Sequence, residues 1–400
     1  MIDFLYRTPS GSQNYIVVCL FFILLIGPSI LKGQSRIGQW LQRLDSIRNE
    51  RLESGKPVFT PFISPSYAPE TELMLTAGGL YSFKTNPRDS ALERSSLPFS
   101  LGISTNGSII GSLRSNIYGP GSSWRSNGEI WFRDMPDHYW GVGYQNAVDR
   151  EQSDSITGYH RTFWRVRQAV SFHLGKQFFT GPLIDFNQTV ATDISPVMEK
   201  DPTIQQQGTD NRNMGLGIVL AYDSRDFGEN AYRGMFLNFT LLHYEKILGA
   251  DNRYTSLEID YRGYLPLGRE RRTLAWQVRA RDTFAEVPWP ELTMVGSPFD
   301  LRGYYWGRFR DQFGVFGLAE YRHMFQRKHP NEDGNRQSAH GFVCWIGAGT
   351  VAPGVGKISY WLPNAGIGYR LEIQPRMNLR LDFGIGKGSS SFYVNFAEAF

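Results

Sequence analysis

Two carboxylates and two guanidiniums fall close together in AYDSRDFGENAYRGMFLNFT, residues 221–240: Asp223, Arg225, Asp226 and Arg233. Carboxylates beside bases can serve acid–base chemistry when a third group orients them. No His lies near this set. The seven histidines, at 138, 160, 173, 243, 323, 329 and 340, show no His-x-x-x-His spacing for a metal. There is no Gly-x-Ser-x-Gly elbow to raise a nucleophile. The four charged residues therefore read as turn formation and strand-end pairing, and the chain is not expected to be an enzyme or to need a cofactor or metal. Of the two cysteines, Cys19 lies in an apolar run that reads as a cleaved signal, which would leave Cys344 alone, so no intrachain disulfide is expected.

A second stretch asks for different chemistry. SPFDLRGYYWGRF, residues 297–309, sets Arg302 beside Gly303 amid Tyr, Trp and Phe. A guanidinium taken out of water must be paired and hydrogen-bonded. Gly303 permits a tight bend or a close backbone approach. A turn-forming loop this rich in aromatic residues belongs in a core or at an interface.

The elements that would position such a loop are strands. The chain has 400 residues, a net charge of +4, 42 glycines and 14% aromatics, and no Lys/Arg cluster dense enough for a nucleic-acid footprint. Period-two alternation runs from about residue 71 onward. In NMGLGIVLAYD, residues 213–223, Met214, Leu216, Ile218 and Leu220 share one face. In MNLRLDFGIG, residues 377–386, Leu379, Leu381, Phe383 and Ile385 alternate with Asn378, Arg380, Asp382 and Gly384. The opposite faces mix charge with glycine, as a crowded lumen does, and the segments are long enough for tilted strands to cross a bilayer. In lipid only a closed sheet satisfies every strand edge. The expected fold class is an all-β transmembrane β-barrel of about sixteen antiparallel strands with a short N-terminal amphipathic helix.

Arg7 and the apolar run at 15–31 fit a signal peptide over 1–35, with a retained anchor as the alternative. Residues 36–70 read as a periplasmic helix, near 37–52, and a Pro-rich linker, KPVFTPFISPSYAPE. The barrel is expected over 71–400, beginning with a strand at 72–84, including a fifth strand at 139–146 and ending with one at 390–400. Asn106-Gly107 reads as a short inner turn and residues 85–96 as a long outer loop.

Four stretches carry a family resemblance. LRGYYWG (301–307) resembles the conserved loop motif of the bacterial surface antigen barrels of the BamA/TamA type, the outer-membrane assembly and translocation pores. The 221–240 stretch is similar to their mid-barrel turn, RLDFGIGKGSSSFYVNFAEAF (380–400) to their final hairpin, and YAPETELMLTAGGLYSF (67–83) to their first strand. The resemblance implies that the loop bearing Leu301, Arg302, Gly303 and Tyr304 folds into the lumen, where Arg302 pairs with acidic wall residues. Glu320 and Asp382 are the candidate partners. It implies a weakly paired seam between first and last strands, here with Gly78, Gly79, Gly388 and Phe400. It also implies a bacterial outer-membrane location, contact with lipid and lipopolysaccharide, and work on unfolded clients alongside other assembly subunits; no nucleic-acid partner is expected. The 36–70 interval is too short for a periplasmic POTRA module, so the chain reads as a short form lacking them. The alternative function is an accessory barrel that anchors partners without inserting clients.

Overall fold

The computed structural model describes residue 51 and residues 56–89, 92–268, 271–327, 337–374 and 376–400. The expected signal peptide, and the helix near 37–52 apart from Arg51, lie outside the described residues.

The chain runs through β1 (Val58–Ala68), β2 (Glu72–Phe83), β3 (Ser95–Ser104), β4 (Ile109–Tyr118), β5 (Trp124–His138) and β6 (Gly158–Gly175). There follow β7 (Phe178–Thr192), β8 (Asp210–Asp223), β9 (Gly234–Tyr244), β10 (Tyr254–Pro266), β11 (Arg272–Ala285), β12 (Thr293–Val295) and β13 (Phe309–Asp311). The last five are β14 (Phe313–Gln326), β15 (Gln337–Ala352), β16 (Leu362–Gln374), β17 (Met377–Gly386) and β18 (Ser389–Phe396). Among the described residues, sixteen of these strands close into one antiparallel barrel, with β1 beside β18; β12 and β13 form a separate small hairpin.

The alternation sorts cleanly. Leu216, Ile218 and Leu220 are 43–49% exposed on the outside of β8, where lipid would cover them. On β17, Arg380 and Asp382 point inward and are fully buried, while Phe383 and Ile385 point out. Period two follows from the pleat, and a barrel in lipid puts the apolar set outside.

The strand number agrees with expectation, but two assignments differ and offset each other. Residues 58–68 are not a linker: they are the first barrel strand. Pro61 and Pro65 hid it, since Pro cannot donate to a ladder and usually marks a non-strand; an edge strand tolerates it. Residues 139–146 are not a strand. Gly141 and Gly143 take φ values of 97° and 89°, and Gly143 leads into a short helix, Tyr144–Asp149. The two changes invert the sides of the early turns. Residues 84–94 lie at the mouth that holds the strand end of β18 and the start of β1, and Asn106-Gly107 lies at the opposite, outer mouth.

The outer mouth is capped by interlocked loops. Tyr139 donates its hydroxyl to Asp201 at 2.8 Å and packs edge-on against Trp289. Gln207 donates to the Val287 carbonyl at 3.1 Å, and Arg310 donates to the His138 carbonyl at 3.2 Å. Residues 286–312 between β11 and β14 form the sixth outer loop, L6 below, which carries the β12–β13 hairpin.

Candidate functional site

The L6 tip is shaped by Asp300. Its carboxylate accepts from the backbone N–H groups of Gly296 at 2.9 Å, Ser297 at 2.5 Å and Leu301 at 2.5 Å. This turn aims the next four residues at the inner face of β14–β18. The floor there is thinned by glycine. Glu320, Trp345, Gly366 and Gly384 lie opposite one another across four strands, and a Cβ at Gly366 would fall inside the Trp345 ring, 2.1 Å from Cζ2. A Cβ at Gly384 would stand 2.2 Å from the Arg302 carbonyl oxygen, and one at Gly386 2.3 Å from the Tyr304 ring. Gly303 itself has φ 119°, and a Cβ there would meet the Gly384 backbone at 2.9 Å.

Arg302 is fully buried over this floor. It donates to the Glu320 carboxylate, and Nη1 donates to Asp382 at 2.8 Å. Its guanidinium lies 3.6 Å from the Trp345 ring centroid, a cation–π contact that replaces water on that face. Its carbonyl accepts from the Asn364 amide, whose oxygen accepts from Trp345 Nε1 at 2.9 Å. Leu301 is wholly buried. Tyr304 accepts from the Lys387 N–H at 2.7 Å and donates to the Pro363 carbonyl at 2.8 Å.

The two carboxylates are shared. Glu320 also accepts from Arg322 at 2.9 Å, and Asp382 from Arg370 at 2.5 Å. Arg370 reaches on to Glu398 at 3.0 Å, and Asn378 donates to Glu398 at 2.7 Å. Arg322 Nη2 donates to the Phe400 carbonyl at 3.0 Å and covers the Phe400 ring at 4.7 Å. Arg302, Glu320, Arg322, Arg370, Asp382 and Glu398 thus form one buried network. Sequence reasoning missed Arg322, Arg370, Trp345 and Glu398. Glu398 left a trace, because it interrupts an apolar run at the chain's end.

The structure corrects three readings of the seam. Phe400 is not part of the last strand. β18 ends at Phe396, Ala397 takes φ 65°, and the last residues turn into the lumen, where Phe400 is 5% exposed. Gly78 and Gly79 are not on the closing strand. They lie in β2, where they make room for β1: a Cβ at Gly79 would be 2.3 Å from the Phe59 ring, and one at Gly78 2.9 Å from that of Phe62. Gly388 sits in the β17–β18 turn with φ 70°, a turn requirement rather than a weak strand. The strands that meet are β1 and β18. Among the described residues their register is a single pair, Tyr67 opposite Val394, whereas β17 and β18 register from Leu379–Phe396 to Gly386–Ser389.

The charged turn at the inner mouth is separate. Asp223 accepts from Arg225 Nε and Nη2, both at 2.9 Å. Asp226 caps its turn through the Tyr232 N–H at 2.9 Å and pairs with Arg376 at 3.0 Å. Burial acts to raise the Asp226 carboxyl, but those N–H and guanidinium contacts outweigh it and hold it below its ordinary value. Arg233 is exposed beside a cavity of about 650 Å³ lined also by Arg271, Arg272 and Glu372.

The profile of the Omp85 superfamily domain matches residues 100–393. The chain belongs to the Omp85 superfamily. As an Omp85 barrel it is a protein of the bacterial outer membrane, and its lipid-facing band implies contact with lipid and lipopolysaccharide. Its fold is similar to that of BamA from Haemophilus ducreyi lacking POTRA domains 1-3, at 14% identity and TM-score 0.58, covering 86% of this chain and 70% of that one. It is similar to CdiB from Acinetobacter baumannii at 14% identity and TM-score 0.50, and to CdiB from Escherichia coli at 12% and 0.53. The matches cover 86% and 85% of this chain but 60% and 63% of the two CdiB chains. No curated protein matches the chain.

Proposed function

We propose that this Omp85 barrel works in the manner of the BamA/TamA type, assembling or translocating outer-membrane proteins through the β1–β18 seam while the L6 tip corks the lumen. The observation that carries the reading is the open edge of β1. Tyr67 opposite Val394 sets Pro65 opposite Phe396, where β18 ends. By that register Val58–Ser64 extends past the last β18 residue. An unpaired strand edge templates an incoming strand through its backbone groups, with no demand on the client's sequence. Among the described residues, the turning-in of 397–400 leaves this part of β1 without a β18 partner. The capped outer mouth speaks against a passive pore.

The test uses the barrel in lipid vesicles with its native cysteines replaced by Ser. A photo-crosslinking residue at Ile63, which is 73% exposed on the free edge, should capture a urea-denatured outer-membrane barrel polypeptide. A Tyr67→Cys/Val394→Cys disulfide leaves the Ile63 edge free but bars entry between the strands, so capture should persist while folding of the captured client into a heat-modifiable barrel falls at least tenfold, and reductant should restore that folding. Client folding that ignores the disulfide refutes the seam as the route. No capture in any state favours the accessory-barrel reading, in which fixed partners are held whether or not the seam is locked.

A further inference from the structure

Among the described residues the seam has little backbone ladder, yet both of its strands are tied to the same few residues of L6. We propose that the L6 tip is a clasp across the seam, holding the β1 side through Glu70 and the β18 side through Tyr393, so that displacing L6 and opening the seam are one event. The proposal rests on the seam being the place where the barrel opens, and it adds what holds that place shut.

On the β1 side, Glu70 lies in the outer turn between β1 and β2 and is 4% exposed. Its carboxyl oxygen accepts from the Trp306 N–H at 2.7 Å. The turn is fixed in turn by Asn106, which donates to the Glu70 carbonyl at 2.9 Å. On the β18 side, Tyr393 is fully buried. Its hydroxyl accepts from the Gly303 N–H at 3.1 Å and donates to the Tyr304 carbonyl at 3.3 Å. Residues 303–306 therefore span from one seam strand to the other. Past the end of β18 the chain is bound to the same loop indirectly: Glu398 to Arg370, Arg370 to Asp382, Asp382 to Arg302. A buried hydrogen bond left without its partner costs the desolvation of the orphaned group. Pulling β1 from β18 with L6 in place orphans either the Trp306 N–H or the Gly303 N–H.

Glu70 also gives the clasp a pH dependence. Burial, with a smaller push from Asp137 and Asp300, raises its carboxyl from 4.5 to about 7 against the pull of the Trp306 N–H. Tyr305 and Tyr393 also face it. The Arg133 and Arg161 guanidiniums stand 4.9 and 5.7 Å from the Trp306 ring. In the clasped state Glu70 keeps its proton up to about pH 7, and released into water it loses that proton near 4.5. The clasped state binds the extra proton, so it is favoured below pH 7 and weakens as pH rises through that value.

The experiment measures the initial oxidation rate of a Tyr67→Cys/Val394→Cys pair in the cysteine-free barrel, in phosphatidylethanolamine–phosphatidylglycerol vesicles. Each rate is divided by that of a Phe383→Cys/Phe392→Cys pair, Cα partners between the zipped β17 and β18, which cancels the pH dependence of thiol chemistry. Glu70→Ala and Tyr393→Phe should each lower the ratio at least threefold. Tyr139→Phe, which removes a hydroxyl from the outer cap, should leave it unchanged. With Glu70 present the ratio should fall severalfold between pH 6 and 8.5, and Glu70→Gln should flatten that fall. A ratio unmoved by both Glu70→Ala and Tyr393→Phe, or a Glu70→Gln barrel with the parent's pH dependence, overturns the clasp. Client capture at Ile63 is read separately. Capture with an unmoved ratio defeats the clasp alone, and a responsive ratio without capture defeats the insertion reading alone.

Discussion

Arg302→Ala should destabilise the folded barrel by roughly 3–5 kcal/mol, because it leaves two buried carboxylates without their shared cation. Glu320 and Asp382 are both fully buried. Arg322 and Arg370 stay in contact with them, which limits the loss but cannot fill the place over Trp345. The measurement is the midpoint of heat-induced unfolding on a gel that separates folded from unfolded barrels, together with protease access to L6. The midpoint should drop and L6 should become cleavable. Arg302→Lys should recover only part of the loss, since an ammonium cannot reach two carboxylates in the planar geometry of a guanidinium or stack on the indole in the same way. An unchanged midpoint with L6 still protected means that the loop is held by its apolar packing and that the ion network is incidental.

Gly384→Val should evict L6 while leaving every charge in place. The added Cβ would stand 2.2 Å from the Arg302 carbonyl oxygen and 2.5 Å from its carbon. Both are backbone atoms, so neither can swing aside. β17 is itself fixed by pairing to Gly366 on one side and Ser391 on the other. The strand cannot retreat, so the loop must. Overpacking of this kind costs about 1–3 kcal/mol or more. Gly317→Val is the matched control: on β14 its Cβ meets nothing nearer than 3.8 Å. The first variant should expose L6 to protease at a rate near that of Arg302→Ala, and the control should behave as the parent. Equal behaviour of the two glycine variants would remove the close approach of loop and strand from the explanation.

The barrel was legible because lipid and lumen impose opposite demands on alternate residues. Ile218 and Gly217, or Phe383 and Asp382, announce their faces by type alone. Arg302 was legible through the family resemblance, which implies an in-folded loop whose Arg meets acid on the wall, and few acids lie on inward faces nearby. What stayed hidden depends on distant parts of the chain. β1 contains two prolines, and only its place at the closure makes them tolerable. The stretch at 139–146 carries the aromatic and apolar content of a strand, and its glycines read as fillers until their positive φ shows that they end one element and begin another. Phe400 continues the lipid-facing alternation of β18, and its inward turn is decided by Arg322 and Arg370 on other strands. Glu70 ends the stretch that reads as a Pro-rich linker. It is buried, and its carboxyl oxygen accepts from the N–H of Trp306, 236 residues further along.

The most direct measurement is a disulfide between Leu301→Cys and Gly349→Cys in the otherwise cysteine-free barrel. A Cβ at position 349 lies 2.7 Å from Leu301 Cδ1, an atom that Leu301→Cys removes, so a seated L6 keeps the two positions side by side. The expected result is near-complete crosslinking in membranes under mild oxidant, with neither cysteine labelled by a bulky maleimide added from outside. Free thiols at both positions, with the loop cysteine labelled at the rate of an exposed residue, would mean that L6 does not cork the lumen, and the roles given to Arg302, Glu70 and Tyr393 would fall with it.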